Sequence, residues 1–166
     1  AFWGLIAANR PRYGGYIVHI GIVLLAIGIT GSSLFDVSKE VSLKPGDSLT
    51  LKQYILTYDK LDQYPTEGKY ITTATISVSK AGKPIGSLTP SKTIYPGNGY
   101  REEQIVSKAA IRSTLQEDLY VTMEPPKEDG TTIFTAFVNP LVIWMWIGGW
   151  VLIAGGLIAF WPERRR

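Results

Sequence analysis

The sequence predicts a membrane protein in which two transmembrane α-helices flank an all-β domain, an antiparallel sandwich or small barrel, on the extracytoplasmic side. Three observations predict it. Long apolar runs sit near both ends of the 166-residue chain. The middle is built of short β-branched and aromatic runs separated by Gly, Pro and Asp. Positive charge is gathered at the two ends: Arg10, Arg12, Arg164, Arg165 and Arg166 are opposed there only by Glu163.

The first apolar run is Tyr16 to Leu34, YIVHIGIVLLAIGITGSSL. A bilayer core of about 30 Å needs roughly 20 helical residues. Pro11 suits a first helical turn, where its missing N–H costs nothing, so the spacing predicts a helix from near Pro11 to near Ser33. The second run, Leu141 to Trp161, carries no charge and no polar stripe, unlike a core helix of a soluble protein. Asn139-Pro140 reads as a cap followed by proline at the first helical position, and Pro162 with three arginines as the stop.

Cytoplasmic flanks are enriched in Lys and Arg. Arg10 and Arg12 before the first run, and Arg164 to Arg166 after the second, predict that both ends are cytoplasmic and the middle lies outside. Tyr13, Tyr16, Phe160 and Trp161 are expected at one interface, and Phe35, Phe137, Trp144 and Trp146 at the other. The formal charge of +3 therefore reflects topology and points away from nucleic acid, which requires a basic patch on a folded face. The absence of cysteine excludes disulfides and thiolate metal sites.

In the middle, Tyr70 to Ser79 alternates over its whole length, as a half-buried strand does. Further strands are predicted at Lys39–Leu43, Ser48–Leu51, Tyr54–Tyr58, Ile85–Leu88, Lys92–Tyr95, Gln104–Ala110, Leu119–Met123 and Thr132–Phe137. Pro45-Gly46-Asp47, Ala81-Gly82-Lys83 and Pro96-Gly97-Asn98-Gly99 read as turns, and Glu128-Asp129-Gly130 as a hairpin tip. The resulting division is a preceding apolar element ending within residues 1–10, a transmembrane helix over 11–34, a β domain over 35–137, a second transmembrane helix over 138–162 and a basic tail over 163–166. The opening AFWGLIAA, with no initial Met, implies a piece cut or processed from something longer.

His19 is the only histidine, and it lies inside a predicted span. An imidazole in hydrocarbon is costly unless something satisfies it. Three readings stand open: a ligand to haem iron, a proton-relay or quinone-contacting group, and a helix–helix hydrogen bond. Arg12, seven residues earlier, shares its helical face about 10 Å away. It could meet haem propionates, or simply anchor the helix among lipid head groups. Gly15, one turn before His19, leaves room for a flat macrocycle to approach the backbone. Gly14, Gly21 and Gly28 recur every seven residues nearly opposite His19, and Gly148-Gly149 and Gly155-Gly156 repeat the spacing. Such small-residue rows let membrane helices pack closely, against other protein or each other. The β domain shows no nucleophile arrangement and no metal cage. A β domain at a membrane surface could instead dock a partner by an exposed edge.

Two segments are familiar. Arg12 to Ser33, RYGGYIVHIGIVLLAIGITGSS, resembles a late transmembrane helix of the CcmF family, the cytochrome c biogenesis (haem lyase) proteins of the bacterial system I pathway. Asn139 to Pro162 resembles that family's final helix, and the intervening β domain matches in length. The resemblance implies that this chain corresponds to the C-terminal quarter of such a protein, in the bacterial inner membrane with its β domain in the periplasm. It implies a haem b held between two transmembrane histidines, with His19 at one position and the second axial ligand outside this chain. It implies haem attachment to the Cys-x-x-Cys-His motif of apocytochrome c. The implied partners are the remaining transmembrane helices of the same protein, the haem chaperone CcmE, and apocytochrome c with its thiol-handling partners; quinol is a further candidate partner, and the electron donor stays open. The family's tryptophan-rich haem-handling motif and its other histidines are absent from this stretch, so no attachment chemistry falls on these residues. Two other functions remain open: a non-catalytic membrane-anchored scaffold that recruits a partner, and a quinone-linked redox subunit.

Overall fold

The computed structural model describes residues 9–66, 68–97 and 102–161. The expectations for the opening apolar stretch, for the tip of the 96–99 turn, and for Pro162 with the basic tail lie outside these residues. The described residues form two compact units. One holds two helices and the turn Thr114–Glu117; the other holds Val37–Ser113 and Asp118–Val138.

In the helical unit, α1 spans Arg10–Leu34 and α2 spans Val142–Phe160. Both are long and apolar enough to cross a membrane. They pack antiparallel through the glycine rows. A Cβ added at Gly14 would lie 2.6 to 2.7 Å from the backbone and Cβ of Ala159, and one at Gly21 2.7 Å from the Leu152 nitrogen. At Gly28 it would meet Met145, and at Gly155 the Val18 nitrogen at 2.7 Å. The spans thus pack against each other, one of the two arrangements the glycine spacing allowed. A seven-residue row keeps one face on the partner over several turns, and the missing side chains let the backbones touch. Gly15, Gly149 and Gly156 face open space.

α2 starts differently from expectation. Asn139 and Pro140 do not cap it; they end a strand, and Leu141 turns the chain with φ +59. No side chain caps the helix. Instead the Leu141 N–H donates to the Gln116 carbonyl at 2.9 Å, and the Trp144 indole N–H donates to the Leu115 carbonyl at 3.0 Å. The turn from 114 to 117 supplies by tertiary contact the start that Asn139-Pro140 predicts locally.

The second unit is all β, and its described residues form ten strands in two sheets. In chain order they are β1 Val37–Leu43, β2 Ser48–Leu51, β3 Tyr54–Thr66, β4 Lys69–Lys80, β5 Lys83–Leu88, β6 Ser91–Tyr95, β7 Gln104–Lys108, β8 Ala110–Ser113, β9 Glu117–Met123 and β10 Thr132–Pro140. One sheet has the order β1-β10-β9-β8; the other runs β2-β3-β4-β6-β7, with β5 also pairing β4. The architecture is therefore two sheets rather than one closed barrel. Alternate residues point inward: Tyr54, Leu56 and Tyr58 from β3, Ala74, Ile76 and Val78 from β4, Leu119, Val121 and Met123 from β9, and Phe134, Ala136 and Val138 from β10. Tyr58 and Phe134 meet edge to face at 4.8 Å between ring centres.

Two strand expectations need correction. Gln104–Ala110 is not one strand: β7 pairs with β6 and β8 with β9, so the chain changes sheets at Ala109. No Gly or Pro marks that crossing. β3 runs past Tyr58 to Thr66, with a bulge between Tyr58 and Lys60, because β4 pairs with the whole of it, up to Thr66 with Lys69. The 59–66 stretch is polar and contains Pro65, which hides a strand held by its partner.

Candidate functional site

The candidate site lies on the face of α1 turned away from the glycine seam. Asn9 precedes the helix and its carbonyl accepts the Arg12 and Tyr13 N–H groups at 3.1 Å, with proline in the first turn as expected. Along the outward face come Arg12, Tyr16 and His19, all exposed, with Gly15 beside them. Side chains three and four residues apart are neighbours on a helix. The structure brings the three predicted site residues to one face.

His19 Nδ1 lies 2.7 Å from the Gly15 carbonyl oxygen. A carbonyl only accepts, so the ring nitrogen in that contact carries the proton and donates it. In the neutral imidazole the lone pair is then on Nε2, and the His19 side chain is exposed. A ring nitrogen tied to a backbone carbonyl, with the other left free, is how a metal-ligating histidine is oriented. Gly15 therefore has two functions: its carbonyl sets the imidazole tautomer, and its missing side chain leaves the surface beside His19 open. Among the described residues the His19 ring bonds only its own helix, through Nδ1, so all three readings now turn on what meets Nε2.

Arg12 Nε donates to the Tyr16 hydroxyl at 3.0 Å, and its guanidinium lies 5.8 Å from the centre of the Tyr16 ring. Tyr16 in turn meets Tyr13 edge to face at 6.2 Å. Tyr16 was expected only as an interfacial aromatic. Its spacing of four from Arg12 and three from His19 is the signal that places it between them. The cluster presents a cation and a hydroxyl one to two turns below a free imidazole nitrogen. It can hold a flat, metal-centred ligand with acidic edge groups, or a polar head group.

The β unit gathers no comparable set. Among the described residues there is no cluster of three or more His, Asp or Glu able to hold a metal. A shallow groove of about 480 Å³ is lined by Tyr64, Pro65, Tyr70, Ile94, Pro125 and Pro126, with no acid–base pair. Charged groups serve structure: Asp62 accepts from Lys60 at 2.7 Å and raises its pKa. At the Glu128-Asp129-Gly130 tip, a hairpin turn as expected, the Asp129 carboxylate accepts the Thr131 N–H at 3.0 Å and the Thr131 hydroxyl at 2.8 Å. These bonds lower its pKa.

Comparison with known proteins places this architecture. The family model described as CcmF C-terminal β-sandwich matches residues 34–140. The cytochrome c-type biogenesis protein CcmF of Pseudomonas aeruginosa is 30% identical over 163 residues, covering 98% of this chain and 24% of that protein. The protein of the same name from Escherichia coli is 28% identical over 166 residues, covering 100% of this chain and 24% of that protein. A solved structure titled cytochrome c heme lyase CcmF matches with a TM-score of 0.74 at 21% identity, over 93% of this chain and 25% of that one, which shows a common fold. The chain thus spans about a quarter of the length of these relatives. On the match across 34–140, the chain belongs to the CcmF C-terminal β-sandwich family.

Proposed function

We propose that this chain is the C-terminal membrane segment of a cytochrome c maturation protein, and that His19 is an axial ligand to a b-type haem. The observation that carries the proposal is the His19 ring: its Nδ1–H is tied to the Gly15 carbonyl at 2.7 Å and its Nε2 is free on an exposed face. The relatives named for cytochrome c biogenesis support the same direction.

The residues fit the group. His19 Nε2 supplies the iron ligand, Gly15 leaves space beside it, and Arg12 with Tyr16 offers donors to propionates. A haem bound there would supply one-electron chemistry within the membrane, of the kind that holds the iron of a substrate haem reduced. The chain's own residues do the rest. Gly15 holds the imidazole in one tautomer, Arg12 and Tyr16 hold an acidic edge at the helix start, and α2 holds α1 in register. Because His19 is the only histidine, a second imidazole ligand comes from the remaining transmembrane helices of the longer protein. Haem delivered by CcmE and the thiols of apocytochrome c meet elsewhere in that protein. In this reading both ends of the segment are cytoplasmic and the β domain faces the periplasm, in keeping with the arginines that flank the two helices.

The test is a reduced-minus-oxidised absorbance spectrum of the full-length protein with and without His19→Ala. Loss of the b-type band in the variant is expected. An unchanged band places the iron elsewhere and overturns the ligand assignment.

A second reading rests on β7. All five of its residues are exposed, Ile105 and Val106 included, and β7 ends its sheet. An open edge of this kind accepts an added strand, which suits a scaffold that recruits a partner. A haem-free but partner-binding full-length protein would favour it.

A further inference from the structure

We infer that the turn from Thr114 to Glu117 is a third membrane contact, with Leu115 seated in the boundary between head groups and acyl chains of the extracytoplasmic leaflet. The inference rests on the reading that α1 and α2 cross the membrane.

α2 has 19 residues, about 28 Å at 1.5 Å per residue. A hydrocarbon core is about 30 Å thick. A helix of that length has no slack, so a spanning α2 puts Leu141 and Trp144 at the boundary itself. Two backbone carbonyls of the turn are hydrogen-bonded to those residues: Gln116 to the Leu141 N–H at 2.9 Å, and Leu115 to the Trp144 indole at 3.0 Å. The turn cannot then stand far off in water.

The turn is also rigid. The Thr114 hydroxyl donates to the Glu117 carbonyl at 2.7 Å and accepts the Glu117 N–H at 3.1 Å. Fixed in this way, Leu115 leaves 64% of its surface uncovered. It has company at that level. A Cβ on Gly31 would lie 2.6 Å from the Leu141 side chain, which brings the end of α1 beside the start of α2. One turn on, Leu34 and Phe35 are 69% and 65% exposed, and Trp146 is 70% exposed. Leu34, Leu115 and Trp146 thus present mostly exposed apolar surface at one end of the helix pair. Trp is a residue of that boundary because its ring is apolar and its N–H is polar. Here the N–H of Trp144 is used to hold the turn down. A leucine exposed on a rigid turn bonded to a helix start at this depth matches lipid, whose acyl chains cover it without a specific pocket.

These 166 residues contain no cysteine, and any cysteine elsewhere in the full-length protein is replaced by serine before labelling. The full-length protein in phosphatidylethanolamine–phosphatidylglycerol nanodiscs would carry a nitroxide at Leu115→Cys, at Val23→Cys on the exposed face of α1, or at Lys83→Cys on β5. Collision with oxygen reports lipid, and collision with a water-soluble nickel chelate reports solvent. The expected result is an oxygen-to-nickel ratio at 115 several-fold above that at 83 and below that at 23. A ratio at 115 equal to that at 83, with 23 in lipid, overturns the inference and leaves the membrane reading standing. Low collision with both reagents at 115 means that protein covers it, and also overturns the inference. A water-like ratio at 23 overturns the membrane reading itself.

Discussion

Gly21 and Gly148 face each other backbone to backbone: a methyl on Gly21 would lie 2.9 Å from the Gly148 carbonyl oxygen, and a methyl on Gly148 2.8 Å from that of Gly21. The same Gly21 methyl would lie 2.7 Å from the Leu152 nitrogen. Backbone cannot swing aside as a side chain can. Gly21→Ala should therefore force the helices apart and cost about 1–3 kcal/mol, the range for overpacking a tight contact. Gly149→Ala meets open space and should be neutral or gain up to about 1 kcal/mol from helix propensity. Thermal unfolding of the two variants in the same detergent checks the difference.

Gly15 separates folding from cofactor binding. A side chain there meets nothing within 4 Å. Gly15→Leu should leave the helix pair at least as stable as before, while filling the surface beside His19. The expected outcome is a b-type absorbance band much reduced in the full-length protein with an unchanged or raised melting temperature. A full band would show that the ligand does not approach α1 at this turn.

Lys92 is buried, with 8% of its side chain exposed, and its ammonium donates to Glu124 at 2.9 Å; Glu124 is 56% exposed. The pair is asymmetric. Glu124→Ala strands a buried ammonium and should cost about 1.5–3 kcal/mol, the worth of a hydrogen bond to a charged group. Lys92→Met returns a carboxylate to water and keeps an apolar stem in place, so its cost should be smaller. Urea unfolding midpoints of the two variants, at equal slope, decide the order.

Asp129 gives a pH signature. The Thr131 N–H and hydroxyl hold its carboxyl below the usual carboxylate range. A depressed folded pKa means that the unfolded state binds more protons on acidification. The contribution is complete above the ordinary aspartate value and is lost as pH falls through the lowered one. The Thr131 amide proton should shift along that acid titration, and Asp129→Asn should abolish the shift.

Much of this was legible because the signals were local. The period-seven glycines and the alternation from Tyr70 to Ser79 each state their own geometry. What escaped depended on partners distant in sequence. Asn139-Pro140 carries a strong helix-start signal, yet β10 runs through it and Leu141 makes the turn, held by Gln116. The break at Ala109 has no local mark either, since two different strands decide it. Residues 59–66 look like loop and are a strand because β4 pairs with them. At the candidate site, Arg12, Gly15 and His19 could be read from helical spacing. The tautomer of His19 needed the Gly15 carbonyl to be seen at 2.7 Å.

The glycine seam is also a ruler. Gly14, Gly21 and Gly28 on α1, and Gly148 and Gly155 on α2, repeat at one interval. A whole repeat, about 10 Å, is the smallest slip that brings the Gly14, Gly21 and Gly28 row back into step with Gly148 and Gly155. That distance is about a third of a hydrocarbon core, so the seam sets the depth of His19 relative to α2.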